Sequence, residues 1–414
     1  MLSSQHLSPE QLSPDTVLVV GGGVAGMQAA LSLAALDVPV LLVERNAHLG
    51  GQVMRLDKVY PTDHCAFCPT WSMARACFDS LNVQVLLHAH VVGLSTDGDR
   101  TFAEIDVSRP AIDPSACLYC GACVPVCGKN AIRRRDPGMT WDPALPPAMR
   151  IDAALCNNCG ACVKACPVQA VSLDGEKRRL SLPVADVVWA TGFEEPASGD
   201  PAFAEEFGVH AHPDIFTAME FEAWHGESRG ETVLRKRSDG RPVRRVAFVQ
   251  CAGARDARHL PYCAAVCCMH AVKQARWLKR RQPNLEISLF YTDLRAPGAG
   301  QENYVRAGKS EGIRLVRSRP GLIKPSPLGG IGVRYEDPAT GSGTGECFDI
   351  VVVNGGLAQC RLPGLSGKAK EPLRSAVRCG FCDEPVDVAG AVIQGAATAA
   401  RHVLNRRRSE GGAA

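Results

Sequence analysis

The sequence predicts an α/β fold in which a dinucleotide-binding unit is interrupted by a cysteine-rich insert. Three observations carry that prediction. A glycine-rich turn, Gly21-Gly22-Gly23-Val24-Ala25-Gly26, lies between two apolar strand-like runs. A cysteine run occurs twice between Ile112 and Val171. Past the insert, strand-like runs resume, ending at Ala190-Thr191-Gly192 and at Gln250.

Composition narrows the class. A chain of 414 residues holds two to four domains at about 100–200 residues each. Lys and Arg number 46 against 43 Asp and Glu, a net charge of +3, so no strong field draws the chain to nucleic acid or acidic membranes. With 40 Gly and 28 Pro it is neither disordered nor fibrous. The outlier is 19 clustered Cys, an odd total in a chain too long to need disulfide staples. That usage reads as metal or redox sites in a reducing, cytoplasmic compartment.

The first 15 residues have no basic start and no apolar run, so they are expected to be a disordered lead-in and not a secretory signal. Val17 to Val43 is long enough to span a bilayer. The glycine cluster breaks it, however, and strand (Thr16–Val20), helix (to about Leu36) and strand (Val38–Val43) explain it better; no membrane span is expected. Within such a unit Gly21 permits the tight turn, Gly23 lets a pyrophosphate approach the backbone, and Gly26 allows close helix–strand packing. An acid about 20 residues on binds the ribose, and Glu44 stands 18 positions after Gly26.

Ile112–Ile132 and Ile151–Val171 align at an offset of 39 with 10 of 21 positions identical. Each half carries C-x2-C-x2-C-x3-C: Cys117, Cys120, Cys123 and Cys127, then Cys156, Cys159, Cys162 and Cys166. Soft thiolates at this spacing suit iron–sulfur clusters, with structural zinc as the competing reading. The run resembles the bacterial two-[4Fe–4S] ferredoxin, in which the fourth Cys of each run ligates the other cluster. The resemblance implies one cluster on Cys117, Cys120, Cys123 and Cys166, and another on Cys156, Cys159, Cys162 and Cys127. The joining loop, Arg133 to Arg150, contains four prolines and reads as a solvated basic turn.

Val184 to Gly192, with Thr191 and Gly192 at its end, resembles the second strand-to-turn signature of two-dinucleotide-binding-domain flavoproteins of the thioredoxin reductase type. Arg378 to Val388, with Gly380, Cys382 and Asp387, precedes a small-residue helix, Ala389 to Asn405, and resembles the segment that closes such domains over FAD. In that fold a nicotinamide fingerprint follows the strand Val243–Gln250. Here Cys251-Ala252-Gly253-Ala254-Arg255-Asp256 stands in its place, and Cys263, Cys267 and Cys268 follow on a helical stretch.

The segment Cys251-x11-Cys263-x3-Cys267-Cys268-Met269-His270-Ala271-Val272-Lys273 is similar to the flavin-proximal cluster segment of the heterodisulfide reductase A-subunit family. Leu56 to Cys68 after Gly50-Gly51, and Cys382 with Pro385 and Asp387, point the same way, and the likeness runs from about Thr16 to Asn405. It implies a third [4Fe–4S] cluster on Cys251, Cys263, Cys267 and Cys268. It also implies Lys273 as a catalytic cation beside the flavin, and FAD contacts from Gly51, Thr191, Gly192, Gly380, Cys382 and Asp387. Cys65, Cys68, Cys77 and Cys379 have no assigned role.

The expected organisation is a lead-in (1–15), an FAD-binding domain in three parts (16–108, 177–200, 358–405), the inserted ferredoxin domain (109–176), a degenerate nicotinamide-type domain (201–357) and a disordered tail (406–414). The implied function is FAD- and iron–sulfur-dependent electron transfer within a larger complex. The expected partners are the other subunits of a heterodisulfide reductase-like or quinone-interacting complex and a ferredoxin-like electron carrier. The alternatives are a stand-alone NAD(P)H-dependent disulfide reductase and a non-catalytic zinc scaffold.

Overall fold

The structure is a computed structural model that describes residues 12–98, 100–134, 145–196, 200–227, 233–327, 329–360, 362 and 376–411. The chain opens with β1 (Val17–Val20), α1 (Val24–Ala34) and β2 (Val40–Val43). A 3-10 turn (Gly51–Arg55) leads to a small hairpin, β3 (Lys58–Val59) and β4 (His64–Cys65), and to α2 (Phe67–Asp79). Next come β5 (Val83–Leu86), β6 (Ala89–Asp97) and β7 (Arg100–Ser108). β1 and β2 are apolar at every position because both their faces are covered. Val17 and Val19 pack with α1 in one core, while Leu18 and Val20 pack with β6 and β7 in another.

The cysteine-rich insert follows, with β8 (Ile132–Arg133), β9 (Arg150–Ile151) and the short α3 (Ala161–Ala165). It leaves from the end of β7 and returns into β10 (Lys177–Val184), and these two strands pair antiparallel with Lys177 opposite Ser108. The insert therefore plugs into a hairpin without breaking the host sheet. Its joining loop is not wholly solvated: Leu145, Ala148 and Met149 are buried, and Arg150 donates to the Ala47 and Pro146 carbonyls at 3.3 and 3.0 Å. Apolar side chains on either side of the prolines give that segment something to bury. Arg135 and residues 136–144 of the loop lie outside the described residues.

β11 (Asp186–Trp189) and β12 (Phe193–Glu194) lead into the second half. There α4 (Pro201–Glu206), β13 (Ile215–Thr217), α5 (Ala218–Glu227), β14 (Arg245–Val249), α6 (Cys267–Arg281), β15 (Glu286–Phe290), α7 (Gln301–Ser310) and β16 (Ile313–Val316) alternate. An antiparallel meander of β17 (Leu322–Pro325), β18 (Ile331–Glu336) and β19 (Gly343–Phe348) precedes β20 (Ile350–Val353). The chain ends with β21 (Ala358–Gln359), β22 (Val377–Arg378) and α8 (Val388–Gly411).

Two five-stranded parallel sheets result, in the orders β22-β11-β1-β2-β5 and β13-β20-β14-β15-β16. The first is assembled from three separated stretches of chain. α8 returns to pack beside α1, with Ala399 and Ala29 in the same core.

Both chain ends differ from expectation. Residues 1–11 lie outside the described residues, but Leu12 is buried with β1 and Asp15 pairs with Arg406 at 2.7 Å. A single apolar side chain with a free edge of core to cover orders that stretch. α8 runs to Gly411, past the expected end at Asn405, since Arg406 to Glu410 contains no helix breaker.

Candidate functional site

The loop from β1 to α1 forms one wall of a cavity of about 540 Å³. Its glycines have distinct reasons. At Gly26 an added Cβ would meet the Gly21 carbonyl oxygen at 1.8 Å, so no other residue fits. At Gly23 it would meet only the Gly51 Cα, at 4.0 Å, on the side that opens to the cavity. That is a cradle a side chain would fill, at the N-terminus of an 11-residue helix whose free N–H groups and dipole favour phosphate. Arg45, Arg55 and His48 add cationic or donor groups to the same wall. These residues fit the pyrophosphate of a dinucleotide.

Glu44 is 4% exposed, and its carboxylate accepts from the Gly22 N–H at 2.7 Å and from the Asn46 N–H and Nδ2 at 2.8 and 2.7 Å. It lines the cavity while fixing the loop. Gly51, Thr191, Gly192 and Asp387 line the cavity as well. Asp387 caps α8, accepting from the Gly390 N–H at 2.9 Å, and takes a bond from Gln301 Nε2 at 3.3 Å. Gly380 and Cys382 stand behind the wall: an added Cβ at Gly380 would meet that of Ala25 at 2.5 Å, and the Cys382 sulfur accepts from the Thr191 hydroxyl at 3.2 Å. His90 and Cys360 also line the cavity and were not foreseen from sequence. Only the strand alternation of His90 offered a signal.

The insert repeats in space as it does in sequence. Tyr119 and Asn158, Gly121 and Gly160, and Asn130 and Gln169 form pairs 39 apart, and all six have positive φ. The start of each half bonds to the end of the other: Asp113 N–H to the Ala170 carbonyl and Asp152 N–H to the Ala131 carbonyl, both at 2.8 Å. This crossing brings Cys127 of the first run into one recess with Cys156, Cys159 and Cys162 of the second. Burial, with the charges of Cys117, Cys120 and Cys162, raises the Cys123 thiol. Cys166 joins the same apolar cluster, its sulfur accepting from the Ala170 N–H at 3.2 Å. Backbone donors aimed at sulfur favour the thiolate, the form that binds iron; they lower Cys127, led by Ala131.

The same local device recurs in the second half. Tyr119 N–H bonds the Cys117 sulfur and Asn158 N–H the Cys156 sulfur, each at 3.4 Å, from a positive-φ residue two places on. Ala265, with φ of 59°, donates in the same way to the Cys263 sulfur at 3.3 Å. Cys251 leaves the end of β14, and Cys267 and Cys268 open α6. Burial raises Cys267 most, and the charges of Cys268, Cys263 and Cys251 add to it; burial pushes Cys268 up to about 11. The four cysteines therefore lie near enough for their charges to interact. Gln250, which precedes Cys251, is 1% exposed and neither atom of its amide has a partner. Such an orphan is costly, about 1–3 kcal/mol, unless a bound group satisfies it. Four cysteines from the end of β14 to the start of α6 are the donor set that a cluster takes.

Lys273 lies on α6. It is 4% exposed, does not line the cavity, and donates to Glu222 Oε1 at 2.5 Å and to the Lys58 carbonyl at 3.1 Å. Glu222 also takes bonds from His270, Gln274 and the Asp57 N–H. Burial pushes the Glu222 carboxyl up, but Lys273 and His270 outweigh it and hold it well below the usual range. No motif marks Glu222, which lies 51 positions away on another helix. The pair ties α6 to the segment that follows the cavity wall.

Comparison with known proteins agrees with this geometry. A family model described as FAD dependent oxidoreductase matches residues 16–66, and one described as 4Fe-4S dicluster domain matches residues 116–170. The chain is 35% identical to an iron-sulfur A-subunit of the CoB--CoM heterodisulfide reductase of Methanopyrus kandleri, over 94% of this chain and 64% of that one. It is 32% identical to the A-subunit of the H(2):CoB-CoM heterodisulfide,ferredoxin reductase of Methanothermobacter thermautotrophicus, over 83% and 53%. The chain thus spans between about half and two thirds of these relatives' lengths. Thioredoxin reductase of Lactococcus lactis superposes with a TM-score of 0.51 at 17% identity, covering 93% of this chain and 97% of that one. The fold is the two-dinucleotide-binding-domain flavoprotein fold with a dicluster insert, and no helix among the described residues is long and apolar enough to cross a membrane.

Proposed function

We propose that the chain, which is similar to heterodisulfide reductase A-subunits along the part of those proteins that it spans, is an FAD- and iron–sulfur-dependent electron-transfer component of a larger redox complex. The observation that carries this reading is the set of four cysteines after β14. It occupies the crevice at the strand ends where an open parallel sheet binds its ligand, and where the fold otherwise binds nicotinamide. FAD supplies the exchange between two-electron and one-electron chemistry. The chain's own part is to hold and insulate: Gly23 admits the pyrophosphate, and Asp387 and Thr191 border the cavity. Cys251, Cys263, Cys267 and Cys268 hold a third [4Fe–4S] cluster, and the insert holds two more on the crossed ligand sets given above. In this arrangement Lys273 pairs with Glu222 and is the cation proposed beside the flavin.

The insert is the contact for a ferredoxin-like carrier and for the other subunits of a heterodisulfide reductase-like or quinone-interacting complex. Clustered reduced thiols fit a cytoplasmic setting. The test is anaerobic purification followed by flavin, iron and sulfide analysis. One FAD and about twelve irons are expected, four per cluster. About eight irons removes the third cluster; zinc without labile sulfide removes all three. Rapid reduction of the single chain by NADPH would favour the disulfide-reductase alternative.

A further inference from the structure

The start of α2 carries two cysteines that neither the flavin cavity nor the proposed clusters use. Cys65 closes β4 and Cys68 lies in the first turn of α2, in C-x2-C spacing. Both thiols are free; Cys68 is exposed and Cys65 half-buried. Ala66 between β4 and α2 already has helical φ/ψ, so Cys65 and Cys68 stand three apart around one turn, where side chains are neighbours. Phe67, between them, packs on buried Met54, and Val53 and Arg55 on either side of Met54 line the flavin cavity. The pair therefore sits on the outer side of the cavity wall.

The support is rigid. Lys58 pairs with Cys65 across the hairpin, and its Nζ donates to the Asp63 carbonyl at 3.0 Å. The Asp63 carboxylate is held by Arg280 at 2.7 Å and by Tyr304. No third thiol joins the pair from the same helix: Cys77 is buried and turned to the Met27 carbonyl, and burial pushes it up to about 12. Two sulfurs are too few for a cubane, which takes four, but they are enough for a disulfide. The other C-x2-C pair, Cys379 and Cys382, is 1% and 2% exposed and closed to solvent.

We infer that Cys65 and Cys68 form a second redox site, a surface dithiol that exchanges with small-molecule disulfides. The Cys68 thiolate attacks one sulfur of RSSR; that S–S bond breaks, RS⁻ leaves and takes up the Cys68 proton, and a mixed disulfide remains. Cys65 then loses its proton and attacks the Cys68 sulfur, expelling the second RS⁻, which leaves as RSH. The dithiol is oxidised by two electrons to a Cys65–Cys68 disulfide, and RSSR is reduced to two RSH.

The test uses the full chain with its cofactors, kept anaerobic and equilibrated with oxidised and reduced glutathione at graded ratios. Acid quenching, alkylation and peptide mass spectrometry follow. The Cys65–Cys68 peptide should lose both alkyl groups as the ratio rises and regain them with dithiothreitol. Cys65→Ser should trap one glutathione on Cys68. Cys68→Ser, at an exposed position that tolerates the change, should abolish the two-thiol step with flavin and iron content unchanged. Two thiols that alkylate at every ratio would overturn the inference. So would iron lost in Cys68→Ser, which would make the pair cluster ligands. Neither result depends on the electron-transfer reading.

Discussion

The sheet containing β1 and the sheet containing β14 are built alike. In each, the central strand lies between the next strand along the chain and one that returns from much later, and all five strands are parallel. They differ in the loop that leaves the central strand. After β1 it is glycine-rich and opens on a cavity of about 540 Å³; after β14 it begins Gln250-Cys251 and carries Cys263 on the way to Cys267 and Cys268. Topology fixes where a ligand sits, at the strand ends, and loop chemistry fixes which ligand it is. One architecture thus presents a dinucleotide cradle at one strand end and, as proposed above, a cluster site at the other.

The sharpest way to break the comparison is to remove one occupant and keep the other. Gly23→Val places side-chain atoms only in open cavity space, so the fold and all the irons should survive. The crowded pyrophosphate should weaken FAD binding roughly 5- to 150-fold, the equivalent of about 1–3 kcal/mol of overpacking. Flavin absorbance after gel filtration, set against labile sulfide, measures this. Wild-type flavin retention would detach the β1 loop from FAD.

The clamp between the two halves comes next. Lys273→Met leaves Glu222, 2% exposed, as a buried charge without its lysine, and should cost about 3–5 kcal/mol in chemical denaturation. Glu222→Gln in the same chain should recover much of that loss. The pH dependence has a definite sign. The folded Glu222 carboxyl lies below its ordinary value, so its contribution is full above about pH 4.5 and falls away as pH drops through the depressed folded value. Melting in acid should show wild type losing this increment and the Glu222→Gln chain lacking it.

On the thiolate side, Cys267→Ser should lower iron by about four atoms per chain, one cubane, and leave flavin bound, because serine is a poor ligand for soft iron. Unchanged iron would return Cys251 to Cys268 to the status of packed thiols. The smallest effect is expected at the chain ends. Arg406→Ala removes an exposed pair with Asp15 and should change stability by less than about 1 kcal/mol in thermal unfolding.

What could be read in advance was local. The Gly21 to Gly26 turn and the C-x2-C-x2-C-x3-C runs announce themselves because their chemistry is set by spacing along a few residues, and the 39-residue repeat marked its own symmetry. Strands with both faces buried also leave a continuous apolar signature, as in β1 and β20. Lys273 shows the limit. Its neighbourhood in sequence marked it as important, but which carboxylate its amine meets depends on which helix packs across from α6. Only the tertiary structure supplied Glu222, from α5. It alone also set Phe67 against Met54, and so placed the Cys65–Cys68 pair on the outside of the flavin wall. Sequence patterns report the surface an element must bury and the ligands a short loop can gather. Partners distant in the chain are selected by packing, whose energy is spread over many small contacts and leaves no motif.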